Sequence, residues 1–150
     1  MSKKAKDFMT KDIILIDEDM LISKVSNIFL ENNISCAPVV NKEKKLTGVI
    51  SKTNLISYII GGDIDIVLKL ERFDDIDLSF KEGIEVSSIM TQNPITADND
   101  TPLEELAAIM TNNQIHEMII MENDDIVGII SAFDFLYYVA GEDKKINRKN

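Results

Sequence analysis

The sequence has no tryptophan, one cysteine and one histidine. A single thiol, Cys36, has no partner for an internal disulfide or a multi-thiolate zinc site, which suits a reducing compartment and a buried structural role. With His116 as the lone histidine there is no catalytic triad, no metal-ligand cluster and no Walker-type glycine loop, so independent catalysis is not expected. Bases are short as well. Sixteen lysines and arginines against 26 acids give a formal net charge of −10 and a pI near 4.5, which argues against a surface that neutralises nucleic-acid phosphates. No apolar run approaches the length needed to span a bilayer, and no apolar region follows Lys3, Lys4 and Lys6. Secretion and membrane insertion are therefore not expected, and the cytoplasm is the expected location.

What is present is a chain of 150 residues, 45% apolar and 28% charged. That is the size and composition of one compact soluble domain with a core of Ile, Leu, Val and Met.

The chain repeats itself. An offset of 81 places Met9-Thr10 over Met90-Thr91, Asp17 over Asp98, Ile28 over Ile109 and Ile34 over Ile115. After a one-residue deletion the offset becomes 80, and Gly48 meets Gly128, Ser51 meets Ser131 and Tyr58 meets Tyr138. Each copy opens with a short turn, Ala5 to Met9 or Val86 to Met90, and a small extended piece, Ile13 to Ile16 or Pro94 to Ala97. A helix follows, with Ile22, Val25 and Phe29, or Leu103, Leu106, Ala107 and Met110, at the spacing of one buried face. Thr101-Pro102-Leu103-Glu104 predicts its start through an N-cap, a first-turn proline and a capping box; the first copy has Met20 at the matching cap position, with Asp19 as the alternative cap. Asn32-Asn33 and Asn112-Asn113-Gln114 suit the turns that end it. Two strands with a polar hairpin loop come next, Ala37 to Val40 with Leu46 to Ile50, and Met118 to Met121 with Ile126 to Ile130. A second helix, Lys52 to Ile60 or Ala132 to Ala140, ends at Gly61 or Gly141, where a left-handed C-cap is wanted.

The unit is thus strand, helix, strand, strand, helix, an α+β (α/β) pattern. Neither copy has the apolar surface to close a core alone, so the two are expected to pack sheet to sheet about a pseudo-twofold axis. The expected organisation is one module over 1–150: a first unit 5–61, an insert 62–85, a second unit 86–141 and a polar tail 142–150. The insert carries eight acids and three bases, with too many apolar residues for a solvated tether. A short helix near Ile64 to Arg72 is expected in it.

The chemistry concentrates where a strand runs into the second helix, at Gly128-Ile129-Ile130-Ser131-Ala132-Phe133-Asp134 and at Gly48-Val49-Ile50-Ser51-Lys52-Thr53-Asn54. A helix N-terminus presents free N–H groups and the positive end of the helix dipole to a phosphate, and Ser131 adds a hydroxyl. Asp134 can accept two hydrogen bonds, which suits the 2′ and 3′ hydroxyls of a ribose. Such charge-assisted bonds are worth roughly 1.5–3 kcal/mol, about ten- to a hundredfold in affinity. Ser131-x-x-Asp134 is equally a capping box that stabilises the helix with no ligand at all.

The Met-Thr openings, Pro94-Ile95-Thr96 before a helix, and the glycine, two apolars, serine, two residues, acid pattern at Gly128 to Asp134, repeated in order, resemble the CBS-domain pair, or Bateman module. The resemblance covers nearly the whole chain apart from the insert and the tail. It implies two intertwined units, usually assembled as a disc-shaped homodimer, that sense AMP, ADP, ATP or S-adenosylmethionine in the clefts between them. It further implies that adenine lies against Ile95, Thr96, Ile115 and His116 in the second copy and Ile14, Leu15, Ile34 and Ser35 in the first, with His116 near the phosphates. The apolar members of these sets are equally core candidates.

Two departures bear on the ligand. Asn54 stands in place of the ribose acid, while Ser51 and Thr53 keep phosphate-facing hydroxyls, which ranks the first site below the second. Glu117 stands where a base is common and repels a long phosphate chain, favouring a monophosphate, S-adenosylmethionine or an empty site over ATP. The rival expectation is an acidic, dimeric interaction module with vestigial pockets, regulating a protein partner and docking it through the insert.

Overall fold

The computed structural model describes residues 2–59 and 83–142. The predicted helix near Ile64 to Arg72, the Gly61 cap and most of the insert and tail lie outside the described residues. The chain divides into two compact units, Ile14–Pro94 and Met1–Ile13 with Ile95–Asn150. Each holds one copy of the repeat, except that the opening turn of each copy belongs to the unit of the other.

In the unit Ile14–Pro94, β1 (Ile16–Asp17), α1 (Ile22–Asn32), β2 (Cys36–Val40), β3 (Leu46–Ser51) and α2 (Lys52–Ile59) follow in order. The sheet order is β1-β2-β3-β4, its last strand being β4 (Thr91–Gln92). β1 runs parallel to β2 with Ile16 opposite Val39, and β2 and β3 form an antiparallel hairpin with Cys36 opposite Ser51. The second unit repeats this with β5 (Thr96–Asp98), α3 (Leu103–Asn112), β6 (Glu117–Glu122), β7 (Asp125–Ser131) and α4 (Ala132–Ala140) in the sheet β5-β6-β7. Thr96 lies opposite Ile119 and Glu117 opposite Ser131. Both hairpins carry an irregularity at the same place, Val39/Val40 and Ile120/Met121, so the duplication extends to backbone detail. β4 has its counterpart in a bridge between Thr10 and Ile129.

Alternation decides which side chains reach the core. Along β3 and β7 the buried positions recur every second residue, as the pleat requires. In α1, Ile22, Val25 and Phe29 are buried as their spacing predicts, and in α3 Leu103, Leu106 and Met110 are. One core joins Ile16, Val25, Phe29, Ala37, Val39 and Ile50 with Val86 from the opening of the second copy. The other joins Leu106, Met110, Met118, Ile120 and Ile130 with Ala5 from the opening of the first. Each repeat thus completes its core with a residue from the far side of the insert.

The same exchange corrects the predicted helix starts. α3 begins at Leu103 with Pro102 at the cap position and α1 at Ile22 with Leu21 there, and neither makes a side-chain cap bond. Instead the Leu103 N–H donates to the carbonyl of Lys3 at 2.8 Å, and the Ile22 N–H to that of Ile84 at 3.0 Å. A passing backbone segment satisfies a donor that local sequence would assign to Thr101 or Asp19. The extended pieces also start later than predicted, at Ile16 and Thr96, where parallel pairing to β2 and β6 begins.

The predicted turns hold. Asn33 and Gln114 take left-handed conformations after their helices, Gly141 does so after α4, and Lys44 and Asn123 do so in the hairpin loops. Among the described residues no helix is long and apolar enough to cross a membrane.

Candidate functional site

In the unit with the second repeat, β5 and β6 start at the same end of the sheet at which β7 ends. Thr96 opens β5, His116 immediately precedes β6, and Ser131 closes β7 opposite Glu117. Parallel pairing of β5 and β6 with an antiparallel β7 forces this convergence, and it brings Ile95, Thr96, Ile115, His116, Ser131 and Asp134 to one edge. In the other unit the same topology brings Ile14, Leu15, Ile34, Ser35, Ser51, Thr53 and Asn54 to the matching edge.

The corner at β7–α4 is held by its own side chains. Ser131 has extended backbone, φ −116° and ψ 163°, as an N-cap residue needs. Its N–H donates to Asp134 Oδ2 at 2.8 Å, and its hydroxyl accepts from the Asp134 N–H, completing the capping box. The Ala132 N–H donates to the carbonyl of His116 at 2.8 Å, which ties the corner to the residue before β6. Asp134 is only 2% exposed.

The β3–α2 corner is built in the same way. The Ser51 N–H and hydroxyl both donate to Asn54 Oδ1 at 2.9 Å, and the Asn54 N–H donates to Ser51 Oγ at 3.3 Å. The Lys52 N–H donates to the carbonyl of Ser35 at 2.9 Å. The amide of Asn54 then does what a carboxylate cannot: its Nδ2 donates to Thr91 Oγ1 at 3.4 Å.

These bonds alter the anion-site argument. Of the first three helical amides, those at Ala132 and Asp134, or Lys52 and Asn54, already have protein acceptors. Among the described residues this leaves the second-position N–H, at Phe133 and at Thr53, as the first-turn donor open to an anion. A corner capped in this way offers an anion fewer free amides than an uncapped helix end.

The expected adenine contacts differ in exposure. Thr96 and His116 are exposed and Ser35 is half-buried, while Ile95 is 40% and Leu15 39% exposed, more than core packing would leave. Ile115, Ile14 and Ile34 instead pack partly against their cores. Beside the second corner a cavity of about 490 Å³ opens between α3 and α4, floored by Met110 and Phe135 and bordered by Ile115, His116 and Ala132. Its size is within the range of small-molecule sites. Met110 and Phe135 were missed as lining residues because a helical apolar stripe reads as core, and nothing in the sequence says which part of the stripe a neighbouring helix leaves uncovered.

Lys4 and Lys6 are drawn away from this edge, both reaching Asp100 Oδ1, at 3.2 and 2.7 Å. The Lys6 hydrogen bond, then that of Lys4, lowers the Asp100 pKa, and Asp100 in turn raises that of Lys6. Ser2 similarly holds Glu104 below the usual carboxylate range through a hydrogen bond. Among the described residues no group of three His, Cys, Asp or Glu is placed to hold a metal ion.

The model of the CBS domain matches residues 5–61 and 86–141. An uncharacterised protein of Methanocaldococcus jannaschii is 29% identical over 149 residues, covering 87% of this chain and 88% of that protein. Other relatives are longer: the inosine-5′-monophosphate dehydrogenase of the same organism is 26% identical, and the match takes in 95% of this chain but 26% of the enzyme. A solved conserved protein of Pyrococcus horikoshii has a TM-score of 0.74 at 27% identity, with 93% of each chain covered. A CBS domain pair solved with 5′-methylthioadenosine and S-adenosyl-L-methionine has a TM-score of 0.72 at 22% identity, with 94% of this chain and 98% of that one covered. A third structure, CBSX2 in complex with AMP, has a TM-score of 0.71 at 16% identity, covering 92% and 96%. Two matched copies, the duplicated strand-helix-strand-strand-helix topology and these structural neighbours make the chain a tandem pair of CBS domains and a member of the CBS domain family.

Proposed function

We propose that this protein is a non-catalytic regulatory module that senses an adenosine-containing ligand, AMP, ADP, ATP or S-adenosylmethionine. The observation that carries this reading is the convergence, at one sheet edge in each unit, of a serine corner with the residues expected to face adenine. Ser131 and Asp134 are the proposed phosphate and ribose contacts in the second copy, with Ile95, Thr96, Ile115 and His116 around the base. Ser51, Thr53, Asn54, Leu15 and Ser35 are their counterparts in the first. The adenosine ligands of two structural neighbours support the ligand class. The module works in the cytoplasm as a homodimer and passes its ligand state to a protein partner.

A second reading, an interaction module with empty sites, draws on α4. Phe133, Leu136 and Val139 are 68%, 61% and 83% exposed, an apolar stripe of the kind that marks a protein contact.

Thermal shift and calorimetry with AMP, ADP, ATP, S-adenosylmethionine and NAD test the proposal. A ligand at a hundred times its Kd stabilises by about 2.7 kcal/mol, a shift of several degrees. If no compound raises the melting temperature at millimolar concentration, the sensing reading falls and the interaction reading takes its place.

A further inference from the structure

Beside the Ser131–Asp134 corner, α3 and α4 leave between them the cavity of about 490 Å³. Its walls are apolar: Ala107 and Met110 from α3, Ile115 from the turn after it, and Ala132 and Phe135 from α4. The polar lining residues, Thr111, Gln114 and His116, are all exposed. Among the described residues no lysine, arginine, aspartate or glutamate lines it. The floor is held in place, because Met110 is 6% exposed and packs in the core while the Phe135 ring meets that of Phe8 edge-on at 5.6 Å. Two alanines keep the space open where larger side chains would fill it.

The cavity begins where the corner ends. Ala132 follows Ser131 in the chain, and its N–H donates to the His116 carbonyl at 2.8 Å; both residues border the cavity. A phosphate inside it would exchange its water shell for methyl and ring carbons, with no base on the lining to compensate. An apolar group would gain the transfer from water, and a sulfur would gain a contact with the Phe135 ring.

Resting on the adenosine-sensing reading, we propose that this cavity is the 5′ subsite of the second site and that it takes adenosines carrying a neutral, apolar 5′ substituent, of which a thioether is the fitting class. The ribose stays at Asp134 and the 5′ carbon passes Ser131 and Ala132, so that its substituent enters between α3 and α4. Met110 and Phe135 are then the residues that select the substituent, and Ala107 sets how large it can be.

Calorimetry on the full chain with adenosine, 5′-methylthioadenosine, its 5′-butylthio homologue and AMP is the test. The methylthio compound should bind about tenfold tighter than adenosine, the worth of burying a methyl group and a sulfur. The butylthio compound should bind at least as tightly, because a methylthio group fills only part of about 490 Å³. An equal concentration of AMP should leave most of either thioether bound. Ala107→Leu fills the cavity and should remove the advantage of the thioethers over adenosine. Thr111→Phe closes its mouth from an exposed position and should do the same, which decides the matter if the first variant does not fold. Adenosine binding with no gain from either thioether, a gain that survives both variants, or displacement of the thioethers by AMP would overturn the subsite while leaving adenosine sensing intact. Absence of binding by all four compounds at millimolar concentration would overturn the sensing reading and this proposal with it.

Discussion

Met9 lies directly over Gly128: a Cβ at Gly128 would come 2.7 Å from Met9 Cγ, and one at Gly48 would come 2.8 Å from the Thr91 carbonyl oxygen. Each repeat's glycine is therefore the place where the opening segment of the other repeat crosses its sheet. Alanine at either position is expected to destabilise by about 1–3 kcal/mol through overpacking. The two should differ on rescue. Shortening Met9 to Ala should recover part of the loss in Gly128→Ala. Met90 Cγ also comes within 3.0 Å of a Cβ at Gly48, but no side-chain change relieves the backbone oxygen, so Met90→Ala should recover less of the loss in Gly48→Ala than Met9→Ala does in Gly128→Ala. Urea melts of the single and double variants would show this.

The caps from a distance make a second prediction. Besides Lys3 and Leu103, the Ala5 and Lys6 N–H groups donate to the carbonyls of Thr101 and Asn99, both at 2.9 Å. Phe8 stacks edge-on with Phe135 and Tyr138 at 5.6 and 5.8 Å. Removing residues 1–8 should cost about 3 kcal/mol from the three lost backbone bonds alone, at roughly 1 kcal/mol each. Hydrogen exchange should speed up in α3 and α4 and stay near its original rate in β2 and β3, which belong to the other unit. Unchanged exchange in α3 and α4 would show that the segment is dispensable.

Asp134 serves the helix whether or not it serves a ligand, and Asn54 shows how to separate the two. Asp134→Asn keeps the acceptor for the Ser131 N–H, as Asn54 does for Ser51, and should stay within about 1 kcal/mol of the parent stability. The same change removes the charge proposed for the ribose and should weaken ligand at that corner about ten- to a hundredfold. Asp134→Ala should lose both. Equal loss of stability in the two variants would make the carboxylate charge itself structural.

The Asp100 carboxylate, held down by Lys6 and Lys4, sets a pH dependence. A carboxylate whose pKa is lower folded than unfolded contributes stability above its unfolded value, about 4, and loses it as pH falls through the folded value. Asp100→Asn should therefore flatten the loss of melting temperature on acidification below about pH 4. It should also reduce the salt sensitivity of unit stability, because both lysines are exposed and screened. The raised pKa of Lys6 acts in the opposite sense: its contribution is complete below its ordinary value and fades only at strongly alkaline pH.

Much of this protein is written locally. The alternation of Gly48 to Ser51 and Gly128 to Ser131, the 3.6-residue spacing of Ile22, Val25 and Phe29, and the left-handed positions at Asn33, Lys44 and Gly141 follow from side-chain period and backbone sterics. Duplication made the topology legible, because a helix-strand-strand-helix string that occurs twice leaves few arrangements open. The serine corners could be read as capping boxes because a capping box spans only four residues.

Contacts across sequence could be settled only in three dimensions. Thr101, Pro102 and Glu104 have the composition of a helix start, yet the Leu103 amide is satisfied by Lys3, a hundred residues away in the chain. Local preference is worth about 1 kcal/mol and yields whenever a remote backbone carbonyl arrives with good geometry. Likewise Val86 and Ala5 complete the cores of the opposite repeats, which no periodicity reveals. At Gly128 to Asp134 the sequence determined the turn, the cap and the charge. The tertiary structure decided that Asp134 is buried and that the His116 carbonyl takes the Ala132 amide, because only packing fixes which acceptor reaches which donor.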